Sequence, residues 1–351
     1  MPVTLTALSD LRQLGFDDVI DVRSPSEYAQ DHLPGAISLP VLDDEERARV
    51  GTIYKQVSPF DARKIGAALV ARNAARHIEE VLIDRPGGWR PLVYCWRGGQ
   101  RSGSFATILG QIGWRAETIS GGYKAWRRLV LGALYERPFA TPVVLLDGNT
   151  GSGKTELLHL LRGMSTQVLD LEALANHRGS IFGSMGVQPC QTGFEGQLAM
   201  ACDVLDPARP VVIEAESGMI GRIKLPGPLL QAMRHAPRIE IMAERRTRAR
   251  YLARSYADMT ADSALLARAV DRLRPYQPAT RIEGWHGLIA AGDFETLAAD
   301  LMTWHYDPAY ARSRKRIDGD AIRVEAAALD PEALKGLAAT LVRDIAALSK
   351  P

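Results

Sequence analysis

Residues Gly148 to Thr155 read GNTGSGKT, a full GxxxxGK[ST] match set between the strand-like run TPVVLLD and the apolar-periodic run ELLHLLRGM. A glycine-rich turn with a strand before it and a helix after it fits few architectures, because the strand must sit in a buried parallel sheet and the helix must pack on it. The same spacing predicts anion binding. Amides of Gly148, Gly151, Ser152 and Gly153 curl round a phosphate, and the helix N-terminus adds positive potential. Lys154 reaches terminal phosphate oxygens, and the Thr155 hydroxyl offers a ligand to Mg²⁺. Backbone amides read phosphate and ignore what is attached to it, so ATP, GTP and other diphosphates all stay open.

Further strands are predicted at QVLDL, PVVIEAE and RIEIMAE with helices between them, the alternation of a parallel sheet covered on both faces. From Ala261 the pattern turns helical (ADSALLARAVDRL, FETLAADLMTWH, PEALKGLAATLVRDIAAL), broken by the basic, turn-like DPAYARSRKR. Glu214 and Glu216 fall at the end of a predicted buried strand, where a carboxylate can hold a metal-bound water, act as a base, or simply be solvated. Arg245, Arg246, Arg248, Arg250 and Arg254 crowd one segment, and Arg312, Arg314, Lys315 and Arg316 crowd another. Both are candidates for RNA phosphate contact, which makes affinity salt-sensitive, and the first also reads as a solvated helix face paired with nearby acids.

Upstream, Asp17 to Ala125 alternates strand-like runs (DDVIDV, VLI, PLVYC, AETI) with helix-like stretches. At roughly 100 to 200 residues per domain, 351 residues allow about two domains. The boundary is placed near Arg137 to Thr141, giving an N-terminal α/β domain over 1–137 and an α/β P-loop domain with a helical C-terminal extension over 138–351.

Cys95 to Ser102 read CWRGGQRS, between the strand-like PLVY and the helix-like SFATILGQI. A cysteine at a strand-to-helix turn sits in positive potential. Arg97 and Arg101 favour the thiolate, and Gly98 and Gly99 let amides point at sulfur or at a bound oxyanion. Such a loop suits a persulfide or its selenium analogue. Cys190 and Cys202 lack these surroundings and read as inert, Cys190 being the one to watch within QPCQTGFEG.

The three cysteines form no CxxC pair, so neither a disulfide framework nor a zinc site is expected. With 43 Lys and Arg against 41 Asp and Glu, a formal net charge of +2 argues against a protein that coats nucleic acid, though local patches can hold an RNA. No apolar run approaches the roughly 18 to 20 residues of a membrane span, and the N-terminal MPVTLTALSDLRQLGF has no basic leader pattern, so a cytoplasmic protein is expected.

DVRSPSEY from Asp21, DHLPGAISLP from Asp31, the CWRGGQRS loop and GGYKAWR from Gly121 resemble a rhodanese-like domain. A rhodanese domain joined to a P-loop domain resembles the tRNA 2-selenouridine synthase family, as do LEALANHRGSIFG from Leu171, FEGQL from Phe194, MIGRIKLP from Met219 and HYDPAYARS from His305. The resemblance implies replacement of sulfur by selenium in 2-thiouridine at the tRNA wobble position, with selenophosphate as donor, and S-geranylation of the same base from geranyl diphosphate.

Cys95 then matches the essential rhodanese cysteine. Arg97, Gly98, Gly99, Arg101 and Ser102 would hold selenophosphate, and the P-loop would grip the diphosphate of geranyl diphosphate. His177 and Arg178 become candidate substrate contacts, with Glu214 beside them. The stretch EAESGMIGR is less acidic than the resemblance leads one to expect, which weakens any role for Glu216. No tightly bound cofactor is expected; selenophosphate and geranyl diphosphate are co-substrates, and Thr155 can ligate Mg²⁺. The partners implied are a thiolated tRNA and an enzyme supplying selenophosphate, with no membrane. Two other readings compete: a sulfurtransferase fused to an ATP-dependent small-molecule kinase, and a nucleotide-dependent binding switch with a non-catalytic rhodanese fold.

Overall fold

The computed structural model of the protein describes residues 2–180, 182–183, 185–314 and 321–348. Lys315 and Arg316 lie outside the described residues, and Arg314 ends the last helical segment before them. The contacts divide the chain into two units, Met1–Glu136 with Pro189–Val204, and Arg137–Gln188 with Leu205–Pro351.

In the first unit four short strands, β1 (Asp18–Asp21), β2 (Ile37–Ser38), β3 (Pro91–Tyr94) and β4 (Glu117–Thr118), form a parallel sheet in the order β2-β1-β3-β4. The four residues of β3 are all buried, as a central strand covered on both faces requires. Ile20, Val93, Phe105 and Leu109 pack with Val70 and Ala74 of the long helix Pro59–His77. The apolar triplet VLI at 81–83, expected as a strand, instead lies in and just after a π-helical turn, Ile78–Leu82, that prolongs this helix and buries Leu82 fully. A run of three apolar residues carries no period of its own, so the helical period before it prevails.

The second unit contains β5 (Val143–Gly148), β6 (Gln167–Leu169), β7 (Val211–Glu214), a small hairpin of β8 (Met219–Ile220) and β9 (Ile223–Lys224), then β10 (Arg238–Met242) and β11 (Ala321–Glu325). Five of these form a parallel sheet in the order β11-β10-β5-β7-β6. The middle strand, β5, is buried along its whole length and leads straight into the glycine loop. The C-terminal helix Pro331–Leu348 starts at Asp330, whose carboxylate accepts from Ala333 N at 3.0 Å. It lays Leu334, Ala338, Leu341 and Ile345 on the sheet core. Phe182, Val270, Leu273, Ile282, Trp285 and Leu297 make a second core, drawn mostly from helices.

Three expectations change here. The strand β11 lies in the stretch expected to be helical; its five residues are mostly exposed and become a strand by pairing with β10, a tertiary cause that local pattern does not display. DPAYARSR is not a turn but the helix Asp307–Arg314, running on from a π-helical turn at Met302–Tyr306. Pro308 falls where the ladder changes from π to α spacing, so its missing N–H is tolerated.

The third change concerns Pro189–Val204, expected in the P-loop domain but packed with the first unit. Its helix Gln191–Asp203 buries Phe194, Leu198 and Ala199 and aims Glu195 at Arg127, with which it is ion-paired, and at Tyr135, whose hydroxyl donates to it at 2.6 Å. Cys190 caps this helix, accepting from Gly193 N at 3.3 Å, and has a structural place.

Candidate functional sites

The cysteine loop leaves the buried end of β3. Cys95 is buried, and its sulfur accepts from Gly99 N and from the Ser102 hydroxyl, each at 3.3 Å. Burial pushes the thiol up, but the Ser102 hydroxyl, the amides of Ser102 and Gly99, and the charge of Arg101 outweigh it, so its pKa lies below the ordinary thiol value. Gly98 and Gly122 explain why the loop and the distant GGYKAWR stretch go together. Both are in the left-handed region (φ +66° and +56°), and an added Cβ would meet Ile119 O at 2.4 Å and Cys95 O at 2.2 Å respectively. Tyr123 N then donates to Cys95 O at 2.8 Å, and Trp96 stacks on the Tyr123 ring at 5.2 Å.

Of the two arginines, Arg97 is exposed at the mouth of the loop, whereas Arg101 is tied to Glu27 at 2.8 Å. Beneath the loop Arg23, 1% exposed, is clamped by Asp21 at 2.7 Å and lies over the Tyr123 ring at 4.2 Å. Glu27, Arg23 and Tyr123 belong to the stretches DVRSPSEY and GGYKAWR, but nothing in their spacing marks them as supports of a thiol.

In the second unit the helix Lys154–Gly163 begins at the end of the glycine loop. The Lys154 ammonium donates to Gly148 O at 2.9 Å and stands 5.4 Å from the Tyr310 ring centre. Burial alone would lower its pKa; the surrounding Tyr310, Glu214, Asp147 and Glu172 raise it instead, so the amine stays charged. Around it opens a cavity of about 460 Å³ lined by the whole loop from Thr150 to Thr155, with Glu172, His177, Arg178, Glu214 and Glu216 on its walls. Arg178 lies over the Tyr256 ring at 4.9 Å, and Gly179 N donates to His177 Nδ1 at 3.1 Å. The candidate residues His177, Arg178 and Glu214 are therefore gathered round the P-loop.

Glu172, which the sequence did not single out, completes a group. One carboxylate oxygen each from Glu172, Glu214 and Glu216 lie within 4.8 Å of one another. Burial raises the pKa of all three, and the closeness of Glu214 raises Glu172 and Glu216 further. Glu214 Oε1 is buried with no hydrogen-bond partner among the described residues, and the Thr155 hydroxyl bonds Glu214. A set of crowded oxygen donors with one orphaned atom fits a hard divalent cation such as Mg²⁺.

The basic segments separate by role. Arg248 is buried, ion-paired with Asp307 at 2.9 Å and bonded to Thr150 O at 3.0 Å, so it braces the glycine loop rather than facing RNA. Its burial follows from its place on the inner side of the helix Arg245–Ser255. Arg245 and Arg246 are exposed; Arg250 faces Glu295 at 3.7 Å, and Arg254 donates to Leu329 O at 2.9 Å. Arg312 is exposed.

Two family descriptions match the chain: "Rhodanese-like domain" over residues 4–129 and "tRNA 2-selenouridine synthase AAA domain" over 141–274. The tRNA 2-selenouridine synthase of Aeromonas salmonicida is 37% identical over 267 residues, covering 72% of this chain and 68% of that one. The chain belongs to the tRNA 2-selenouridine synthase family.

The synthase of Nitrosomonas europaea is 39% identical over 239 residues (65% of this chain, 61% of that protein), and that of Shewanella denitrificans 38% over 253 (68% and 65%). The matches thus span about three-fifths to two-thirds of these relatives' lengths. Membership of the tRNA 2-selenouridine synthase family accounts for the pairing of a rhodanese-like unit with a parallel-sheet P-loop unit. Among the described residues no helix is long and apolar enough to cross a membrane.

Proposed function

We infer that the protein modifies tRNA, replacing the sulfur of wobble 2-thiouridine by selenium through an S-geranyl intermediate. The observation that carries the geranyl step is an apolar cleft of about 70 Å³ that shares walls with the phosphate cavity and has room for the end of an isoprenoid tail, the rest of which stays in the larger cavity. The two share Thr150, Ser180, Leu252, Tyr256 and Tyr306, and the cleft continues between Phe182, Met259, Leu266, Leu297 and Leu301. A nucleotide base brings hydrogen-bonding edges that such a lining leaves unpaired, whereas a short isoprenoid tail needs only apolar contact.

In this reading the loop amides and Lys154 hold the diphosphate, and the tail crosses the larger cavity with its end in the cleft. The thiocarbonyl sulfur attacks C1 of the geranyl group: a C–S bond forms, the C–O bond breaks, diphosphate leaves with the electron pair, and the base loses its N3 proton. Lys154 stabilises the charge gathering on the leaving group. Glu172, Glu214, Glu216 and Thr155 would hold Mg²⁺, which when bound supplies positive charge to the diphosphate oxygens.

Selenium from selenophosphate enters at the selenide level, so no oxidant or reductant is needed. The P–Se bond breaks with transfer of phosphoryl to water, selenium adds to C2, and the alkylated sulfur leaves as geranyl thiol. Cys95 and its loop, with Arg97 at the mouth, are assigned to selenium delivery, with selenophosphate coming from a separate supplying enzyme.

The test is nucleoside mass spectrometry of thiolated tRNA incubated with geranyl diphosphate, then selenophosphate. The Cys95→Ser protein should accumulate the geranylated base and form no selenouridine. Loss of both products would sink the division of labour, and an untouched base in the wild type would sink the function.

A further inference from the structure

The helical extension of the second unit carries an aromatic and basic cluster that the phosphate cavity does not use. The segment Met302–Arg314 sends Tyr306 and Tyr310 to the cavity wall, yet Trp304 on the same turn is 50% exposed and nearby Tyr276 is 68% exposed. An aromatic that only filled a core would be covered, as Trp285 is in the neighbouring helix. The Trp304 indole is also held in place. The Arg281 guanidinium lies over its ring at 4.1 Å, Arg281 Nη1 donates to Gln277 Oε1 at 2.7 Å, and Gln277 Nε2 donates to Trp304 O at 2.9 Å. The Tyr276 and His305 rings stand 6.1 Å apart, and Arg312 acts on His305.

We propose that Trp304 and Tyr276, flanked by Arg281 and Arg312, form a stacking platform for an unpaired base of the substrate RNA, on the outer side of the segment that walls the cavity. Single-stranded RNA is bound by this combination, flat π-faces for bases and cations for the backbone. Two positions apart on one helical turn, Trp304 and Tyr306 point to opposite sides, so the segment that walls the cavity with Tyr306 and Tyr310 presents Trp304 on its outer face. The inference rests on the RNA-modifying reading above and names the surface that reading left unassigned.

The test measures binding of a fluorescent anticodon stem-loop carrying wobble 2-thiouridine to the full chain across a salt series. Trp304→Ala and Tyr276→Ala should each weaken binding by about five- to a hundredfold with the salt slope unchanged, and Trp304→Phe should keep most of the affinity. Arg312→Ala should instead lower the slope by about 0.7. Geranyl diphosphate binding without RNA should be the same in all four. If the wild type binds and both alanine variants bind within twofold of it, the platform is wrong and the function stands. If Trp304→Ala unfolds, Tyr276→Ala decides alone. A wild type that ignores the RNA removes both inferences.

Discussion

Two glycine loops in this chain share a plan and differ in their charge. Each leaves the carboxyl end of a buried parallel strand and enters a helix, β3 to Gln100–Ile112 and β5 to Lys154–Gly163. In the first, charge is settled locally: the thiol has its donors in Gly99 and Ser102, and Arg101 has Glu27. In the second, an ammonium is ringed by carboxyls crowded enough to resist ionising together, and Glu214 Oε1 has no partner among the described residues. The same backbone geometry thus surrounds a thiol with donors in one place and an ammonium with carboxyls in the other. Side chains just outside the glycines decide which.

Lys154→Ala should break the second loop most severely. Geranylation is expected to fall by about a hundredfold or more, the scale set by losing a single transition-state charge contact, while Cys95 alkylation stays normal. Asp21→Ala tests the scaffold of the first loop by leaving Arg23 buried without its counter-charge. Thermal unfolding should show a loss of about 3–5 kcal/mol, and a loss below 1 would mean the clamp is ornamental.

Leu297→Phe should narrow the apolar cleft, raising KM for geranyl diphosphate about tenfold without altering inhibition by inorganic diphosphate. The smallest effect concerns the thiol. Since the native pKa of Cys95 is lowered, its alkylation rate should level off at a lower pH than that of an ordinary cysteine. Ser102→Ala should move that midpoint upward by about one pH unit, the direction expected when a donor to the thiolate is removed. An unmoved midpoint would deny Ser102 its part in priming the loop.

Much of this was legible in residue order. GNTGSGKT and CWRGGQRS each announce a turn whose chemistry is local, and the strands QVLDL, PVVIEAE and RIEIMAE are apolar runs long enough to declare themselves. What escaped was made by tertiary contact. Glu172 is one acid among many until folding sets it against Glu214, and AIRVE is a strand because β10 pairs with it. Arg248 looks like its neighbours in a basic run, and only Asp307, 59 positions away, shows it to be a brace.

The helix Gln191–Asp203 has a consequence for how the molecule is made. Its Glu195 answers Arg127 and Tyr135, yet it is encoded beyond the phosphate loop and the whole of the second unit's first segment, Arg137–Gln188. On a ribosome, the thiol-bearing body would wait for more than fifty further residues before its last helix emerged. Cutting the gene at residue 137 would yield a protein with an acid-shaped gap, so the two units are not interchangeable cassettes but parts of one interleaved reading.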